Sequence, residues 1–341
     1  MGIIDRQRNG CVLYSMLWMK NGDLQKMKTI ENWIISLYKK CPLWLQDIGL
    51  NVAYCMHLEP HHGYVKEVLD YWEDKDPEDP ELAKALNYLQ ATKNWNFLPG
   101  EYEKKYRRLN VDVRKDTDGF PFVIADGKKL YFPKTFGVSW AVGYYRFLIR
   151  EQDPESPHCY FADEFPPPLP GSNAVLLDIG AAEAFLSLQY IDRIKHAFIF
   201  ECNDEWIEAL HKTFEPYQDK VTIVQKFVSN SNDNNCIRLD DFIRNSHEIN
   251  GFNERFLVKM DVEGAESKAL KGCMELIRNK HSRFAVCTYH KPNDAKEFDS
   301  LFTRMGYNTK FSKNYALYGG GEFGTPSFRK GIIRAWCDSP E

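Results

Sequence analysis

The 341-residue sequence has no long apolar run, no strong net charge and no paired-cysteine pattern, and each absence removes a class of protein. The early apolar stretch Cys11-Val-Leu-Tyr-Ser-Met-Leu-Trp-Met19 amounts to one strand or two helical turns. That is too short for a bilayer span, and no small-residue cleavage site follows it, so neither a membrane span nor a leader is expected. A formal net charge of −4 gives no field that would draw nucleic acid or an acidic membrane. The basic cluster Lys104-Lys105-Tyr106-Arg107-Arg108 reads as a solvated helix face. Nine cysteines are scattered without a C-x-x-C pair, which suits reduced thiols and a cytoplasmic location rather than a disulfide framework. No G-x-x-x-x-G-K-[ST] is present, so the P-loop reading falls. What is present is ordinary globular composition, 43% apolar and 27% charged, enough to bury a full core.

Three textures divide the chain into residues 1–110, 111–171 and 172–341. The first is helical: Ile30, Trp33, Ile34, Leu37 and Tyr38 share one face, as do Leu82, Ala85, Leu86 and Leu89 after the turn-forming Asp76-Pro-Glu-Asp-Pro80. Its aromatic stripes (Trp33, Trp44, Trp72, Trp95) suit a core better than a binding surface. In the second, Phe120-Pro-Phe-Val-Ile124, Ala125-Asp-Gly127 and Leu130-Tyr-Phe132 predict a hairpin with an Asp-Gly turn. A helix over 140–149 and a proline-rich connector over 153–171 follow. Beyond Gly171, strands predicted at 174–177, 197–200, 221–224, 256–260 and 284–287 alternate with helices. The first helix is predicted over 181–191, and the last is predicted to start at an Asp294-x-x-Glu297 capping box. Repeated βα units imply a parallel sheet covered on both faces, and the segments 308–312 and 331–336 imply a closing antiparallel pair.

Ligands of such sheets bind beyond the carboxyl ends of the strands. Asp178-Ile-Gly-Ala-Ala-Glu-Ala184 follows the first strand; Gly180 permits a tight turn, and Ala182 and Ala184 are small enough for close approach of a ligand. Glu201 ends the second strand 23 residues after Asp178, where a ribose-hydroxyl acceptor is expected. A pyrophosphate would meet the carboxylates of Asp178 and Glu183 beside the helix N-terminus, whereas a sulfonium amino acid suits acidic surroundings. That favours S-adenosylmethionine over NAD.

The blocks at 178–184, Phe200-Glu201, Arg238-Leu-Asp-Asp-Phe242, Val258-Lys-Met-Asp-Val-Glu-Gly-Ala-Glu266 and Ala269-Leu-Lys-Gly272 resemble the FkbM family of methyltransferases over residues 150–337. Glu151-Gln-Asp153, Ser156-Pro-His158 and Cys287-Thr-Tyr-His290 are similar to a bacterial subgroup of it. The resemblance implies a class I, Rossmann-like, S-adenosylmethionine-dependent enzyme that methylates a hydroxyl of a glycan, glycan precursor or natural product. It also implies that Asp178, Gly180 and Glu201 hold the cofactor and that Asp261 lies where cofactor and acceptor meet; Ala182, Asp240 and His158 are further candidate cofactor contacts. The family usually has glycine where Ala184 stands.

Methyl transfer is an in-line displacement that needs alignment and, for a hydroxyl acceptor, a base. Asp261 and His290, at the ends of the fourth and fifth strands, are the candidate catalytic pair, with His290 as base. The bland alternatives are a helix N-cap for Asp261 and a histidine packed under the Lys291-Pro292 turn. His158 is the second candidate base, on a loop that could fold over the cofactor. Glu263 could serve the helix dipole, and Asp240 or Asp241 could cap the helix at Phe242-Ile243. A metal held by Asp261 and His290 is the less favoured option, and Glu59-Pro60-His61-His62-Gly63, near His57, reads as an exposed turn rather than a metal site. The Gly319-Gly-Gly-Glu-Phe-Gly324 loop is either a long hairpin loop or a lid on the acceptor. Two readings compete with the methyltransferase: an NAD-dependent sugar oxidoreductase, and a non-catalytic scaffold in which Ala184 marks lost cofactor binding. A homo-oligomer stays open.

Overall fold

The computed structural model describes residues 58–93, 95–319 and 325–337, with side chains from Tyr64 onward. The helix expected around Trp33, the stretch from Cys11 to Met19, Trp44, His57 and residues 320–324 lie outside the described residues. Helices α1 (Leu58–Trp72) and α2 (Pro80–Thr92) are joined through the predicted proline-rich turn. Asp79 caps α2 by accepting from Glu81 N at 2.8 Å, and Pro80 fills the first turn, where its missing N–H is harmless. Glu59-Pro60-His61-His62-Gly63, expected as an exposed turn, instead forms the start of α1. Pro60 is tolerated there for the same reason.

Strands β1 (Arg114–Lys115), β2 (Pro121–Ala125) and β3 (Lys128–Tyr131) make a small antiparallel sheet. Ala125 pairs with Lys128 across a two-residue loop in which Asp126 (φ 48°) and Gly127 (φ 80°) are both left-handed, the turn that an Asp-Gly pair selects. Helix α3 (Val138–Glu151) leads into the connector, whose Tyr160 and Phe165 are buried.

The main sheet comprises β4 (Ala174–Ile179), β5 (His196–Phe200), β6 (Val221–Val224), β9 (Arg255–Met260), β10 (Ser282–Cys287), β11 (Asn308–Phe311) and β14 (Ile332–Trp336), in the order β11-β14-β10-β9-β4-β5-β6. β7 (Phe227–Val228) pairs with β8 (Cys236–Ile237), and β12 (Ala316–Tyr318) with β13 (Ser327–Arg329), outside it. The five strands from β10 to β6 are parallel, while β14 runs antiparallel to β10 and to β11, as the end of the sequence implies. Alternate residues feed two apolar layers. Leu176, Ala197, Leu257 and Ala285 face one layer; Val175, Leu177, Phe198, Val258 and Phe284 face the other. The hairpin, α3, the connector, α4 (Phe185–Tyr190) and α5 (Asp204–Phe214) cover the first layer. Helices α6 (Leu239–Asn245), α7 (Glu266–Lys271), α8 (Met274–Asn279) and α9 (Asp294–Arg304) cover the second.

Three helical boundaries differ from expectation. The helix after β4 starts at Phe185 rather than near Ala181, because Ala182 (φ 48°) and Ala184 (φ 55°) are left-handed and cannot belong to it. The helix after β9 is split between α7 and α8 at Gly272, where a Cβ would stand 2.0 Å from the carbonyl oxygen of Ser229. At α9 the cap position falls to Asn293, and the Asp294 carboxylate accepts instead from Lys291 N at 3.1 Å. The chain leaves β4 toward β5 on one side and returns to β9 on the other. The sheet's switch point therefore lies between β4 and β9.

Candidate active site

Three carboxyl ends meet at that switch point. Gly180 (φ 72°) turns the chain out of β4, and any Cβ there would lie 1.8 Å from the carbonyl oxygen of Asp261, so only glycine fits. Gly180 N and Ala181 N donate to the Phe200 carbonyl, and Asp261 N donates to that of Ile179. The ends of β4, β5 and β9 are thereby tied by backbone alone.

Glu201 closes the turn from the neighbouring strand. Its Oε2 accepts from Ala182 N at 2.8 Å; its Oε1 accepts from Cys202 N at 2.8 Å and from Asn203 N at 2.7 Å. Oε2 keeps a lone pair, whereas both of Oε1 are used, and the residue stays slightly exposed. Ala184, buried in its left-handed conformation, stands where glycine would be free of strain, at roughly 1–2 kcal/mol for a residue bearing a Cβ.

Asp178 lies beneath the turn rather than facing outward. It is buried, accepts from Ser187 Oγ at 2.7 Å and pairs with Lys259 Nζ at 3.1 Å. Lys259 Nζ also donates to the Gly180 carbonyl at 2.5 Å. Burial would lower this ammonium's pKa, but Asp178 and Asp261 hold it charged. Glu183 turns toward α3, where the Tyr144 hydroxyl donates to it at 2.8 Å, and burial pushes its carboxyl up to about 7. The two carboxylates thought to face a bound cofactor are thus occupied by Lys259 and Tyr144, and the acidic group left at the turn is Glu201. Asp240 joins neither set: its oxygens accept from Glu275 N and Leu276 N, both at 3.0 Å, at the start of α8 rather than of the helix at Phe242.

The other half of the site gathers around Asp261. Its Oδ2 lies 3.3 Å from His158 Nε2 and its Oδ1 3.7 Å from His290 Nε2; the Tyr289 hydroxyl donates to Oδ1 at 3.3 Å. The N-cap alternative for Asp261 does not hold, because Glu266 Oε1 accepts from Val262 N and Gly264 N at the start of α7. The Glu266 oxygen also lies 2.8 Å from His290 Nδ1. His290 is fully buried; burial alone would lower its pKa, but Glu263, Glu266 and Asp261 hold it up at about 10. In these surroundings the ring is charged near neutral pH and acts as a donor, not as the free base expected of it. His158 is brought in by the connector, with Glu151 Oε1 3.4 Å from its Nδ1 and the Tyr289 hydroxyl 3.2 Å from its Nε2. Burial lifts Glu151 to about 7, and His158 is raised because Glu151 and Asp261 outweigh its own burial. For Asp261, burial raises the pKa but the two imidazoles and Lys259 hold it well below the usual carboxylate range.

Several of these partners carried no individual signal. Tyr160, Tyr289 and Glu266 look like ordinary core or surface residues in sequence, but Lys259 did leave a trace. A lysine inside Phe-Leu-Val-Lys-Met, an otherwise apolar parallel strand, must be paired when buried. Phe97 packs on Tyr289 with ring centroids 5.0 Å apart, and Arg329 of β13 donates to the carbonyls of Tyr289 and His290, both at 2.8 Å. Gly319 closes β12, and the rest of the proposed lid loop lies outside the described residues.

Among curated proteins none matches the chain in sequence. Among solved structures, it is similar to a methyltransferase FkbM from Methylobacillus flagellatus (14% identity, TM-score 0.40), with 76% of this chain and 61% of that one covered. The chain thus spans less than two thirds of that structure's length. It is also similar to a precorrin-6y C5,15-methyltransferase from Geobacter metallireducens (14% identity, TM-score 0.33, 49% and 82% covered). A third is TrmK from M. capricolum, in complex with S-adenosyl-homocysteine (14% identity, TM-score 0.31, 49% and 63% covered). The family model of the methyltransferase FkbM domain matches residues 179–309, which contain Gly180, Glu201, Lys259, Asp261 and His290. The chain therefore carries an FkbM-family methyltransferase domain.

Proposed function

We propose that the protein transfers the methyl group of S-adenosylmethionine to a hydroxyl of a small-molecule or glycan acceptor. The observation that carries the cofactor half is the Ala182 N to Glu201 Oε2 hydrogen bond at the switch point. It joins a close-approach turn to a strand-end carboxylate whose remaining Oε2 lone pair suits a ribose hydroxyl. A sulfonium cofactor brings its own leaving group and its own positive charge. What is asked of the protein is alignment of acceptor and methyl carbon, with water kept out.

Asp261 and His290 are the pair assigned to the acceptor, with His158 and Tyr289 beside them. The Asp261 carboxylate as acceptor and the charged His290 ring as donor, at the ends of β9 and β10, suit an O–H group that must be oriented toward the methyl carbon. The glycan class of acceptor follows from the family resemblance.

Thermal-shift titration with S-adenosylmethionine, S-adenosylhomocysteine and NAD tests the reading. Stabilisation by the two adenosyl-sulfur ligands is expected, and Glu201→Ala should weaken them about 10- to 100-fold, the equivalent of a charge-assisted hydrogen bond or two. Stabilisation by NAD alone would overturn the proposal, and no response to any of the three would point to the scaffold reading.

A further inference from the structure

We propose that the turn after β9 and the end of β10 form a divalent-cation site, with Asp261 and Glu263 as carboxylate ligands and His290 Nε2 as the imidazole ligand, the entering ion displacing the proton of that nitrogen to solvent. The inference deepens the methyl-transfer reading by placing the ion where that reading places the acceptor. It rests first on spacing. His290 Nε2 lies 3.4 Å from Glu263 Oε2 and 3.7 Å from Asp261 Oδ1. Both separations exceed a good hydrogen bond. They approach the spacing of neighbouring ligands around a metal with ~2.1 Å bonds, roughly 3.0–3.4 Å for octahedral and tetrahedral geometry.

The second support is the far side of the ring. His290 Nδ1 faces Glu266 Oε1 at 2.8 Å, and Glu266 is itself fixed by Val262 N and Gly264 N. A carboxylate behind an imidazole, holding its tautomer and direction, is the usual support of a metal-binding histidine. The third is backbone strain. Glu263 sits at φ 51° beside Gly264 at φ 89°, and that bend brings two carboxylates of one short turn to a single ring nitrogen. A non-glycine residue held in this region costs energy that the surrounding structure must offset. Finally, the Glu263 side chain is 62% exposed and that of Asp261 20% exposed, which leaves one side of the ion for water or an acceptor hydroxyl. Asp261, Glu266 and His290 offer one ligand atom each within 4.8 Å of one another, and another such grouping, His158 with Asp261 and Cys287, shares Asp261; in both, two of the three residues are buried. Oxygen ligands with one imidazole suit a hard to borderline ion such as Mn2+.

The full chain, stripped with EDTA and titrated with Mn2+ alone, should remove free Mn2+ from the electron paramagnetic resonance spectrum at one saturable site per chain. Asp261→Asn and Glu263→Gln should each weaken binding at least tenfold, and Glu266→Gln about 10- to 100-fold, as loss of a supporting carboxylate does. Glu263 is exposed, so its variant keeps the fold and decides the matter even if Asp261→Asn does not fold. Absence of saturable Mn2+ binding, or wild-type affinity in Glu263→Gln, overturns the inference. S-adenosylhomocysteine binding measured in EDTA separates the two ideas: its retention leaves methyl transfer standing whatever Mn2+ does, and its loss defeats the underlying reading instead.

Discussion

The two halves of the site are built from different materials. Around Glu201 the geometry is made by the backbone: amide donors at Ala182, Cys202 and Asn203, a glycine that no other residue could replace, and left-handed alanines. Around Asp261 it is made by charged side chains drawn from β9, β10, α3, α7 and the connector. A backbone site keeps its shape whatever the pH, whereas a cluster of buried carboxylates and imidazoles depends on every partner being present. Lys259 belongs to both, because it holds the Gly180 carbonyl and lies in the field of Asp261.

The sharpest way to break this division is Lys259→Met. Removing one partner of a buried ion pair leaves Asp178 uncompensated, and the expected loss of stability is about 3–5 kcal/mol. Denaturant unfolding measures it, and Lys259→Met with Asp178→Asn should recover much of the loss. If the single variant is as stable as wild type, the ion pair does not support the turn.

A smaller effect separates the halves by pH. Glu183 is pushed up to about 7 in the fold against an ordinary 4.5, because burial, with repulsion from Glu151, outweighs the Tyr144 hydrogen bond and Lys259. The folded state therefore holds a proton that the unfolded chain has released between about pH 4.5 and 7. Stability should fall as pH rises through that window, by at most about 1.4 kcal/mol per pH unit, and level off above it. Comparing wild type with Glu183→Gln by urea unfolding at pH 5, 6, 7 and 8 should show this component vanish. An unchanged slope would mean that Glu183 ionises freely.

The smallest expected change is Ala184→Gly. Relief of left-handed strain outweighs the greater freedom of glycine in the unfolded chain, for a net gain of about 0.5–1 kcal/mol. Calorimetric melting with and without S-adenosylhomocysteine would reveal it. A loss of stability would show that the Ala184 methyl contributes more by packing than it costs in strain.

Much of the scaffold was legible because it is local. The Asp126-Gly127 turn needs two left-handed residues, the two-sided burial of β4 and β9 is written in their apolar runs, and the proline-rich connector excludes a helix. The misjudged boundaries have non-local causes. Helix α4 starts late because Ala182 is bonded to a strand-end carboxylate 19 residues away, and the break at Gly272 answers to Ser229. Asp240 reads as a cap on its own helix yet caps α8, because that helix end needs donors satisfied and Asp240 is the acceptor nearby.

By itself the amino-acid sequence determined the five parallel strands and their closing antiparallel pair, the position of the turn at Gly180 and the acidic ends of two neighbouring strands. Spacing along the chain is enough for these, since each depends on residues within one βα unit. Tertiary structure alone decided what those acids do. Asp178 became a buried partner of Lys259, Glu183 was claimed by Tyr144, and His290 was changed from a base into a charged donor by three carboxylates. The reason is physical: a side chain's charge and direction are set by burial and by neighbours that only the folded sheet brings together.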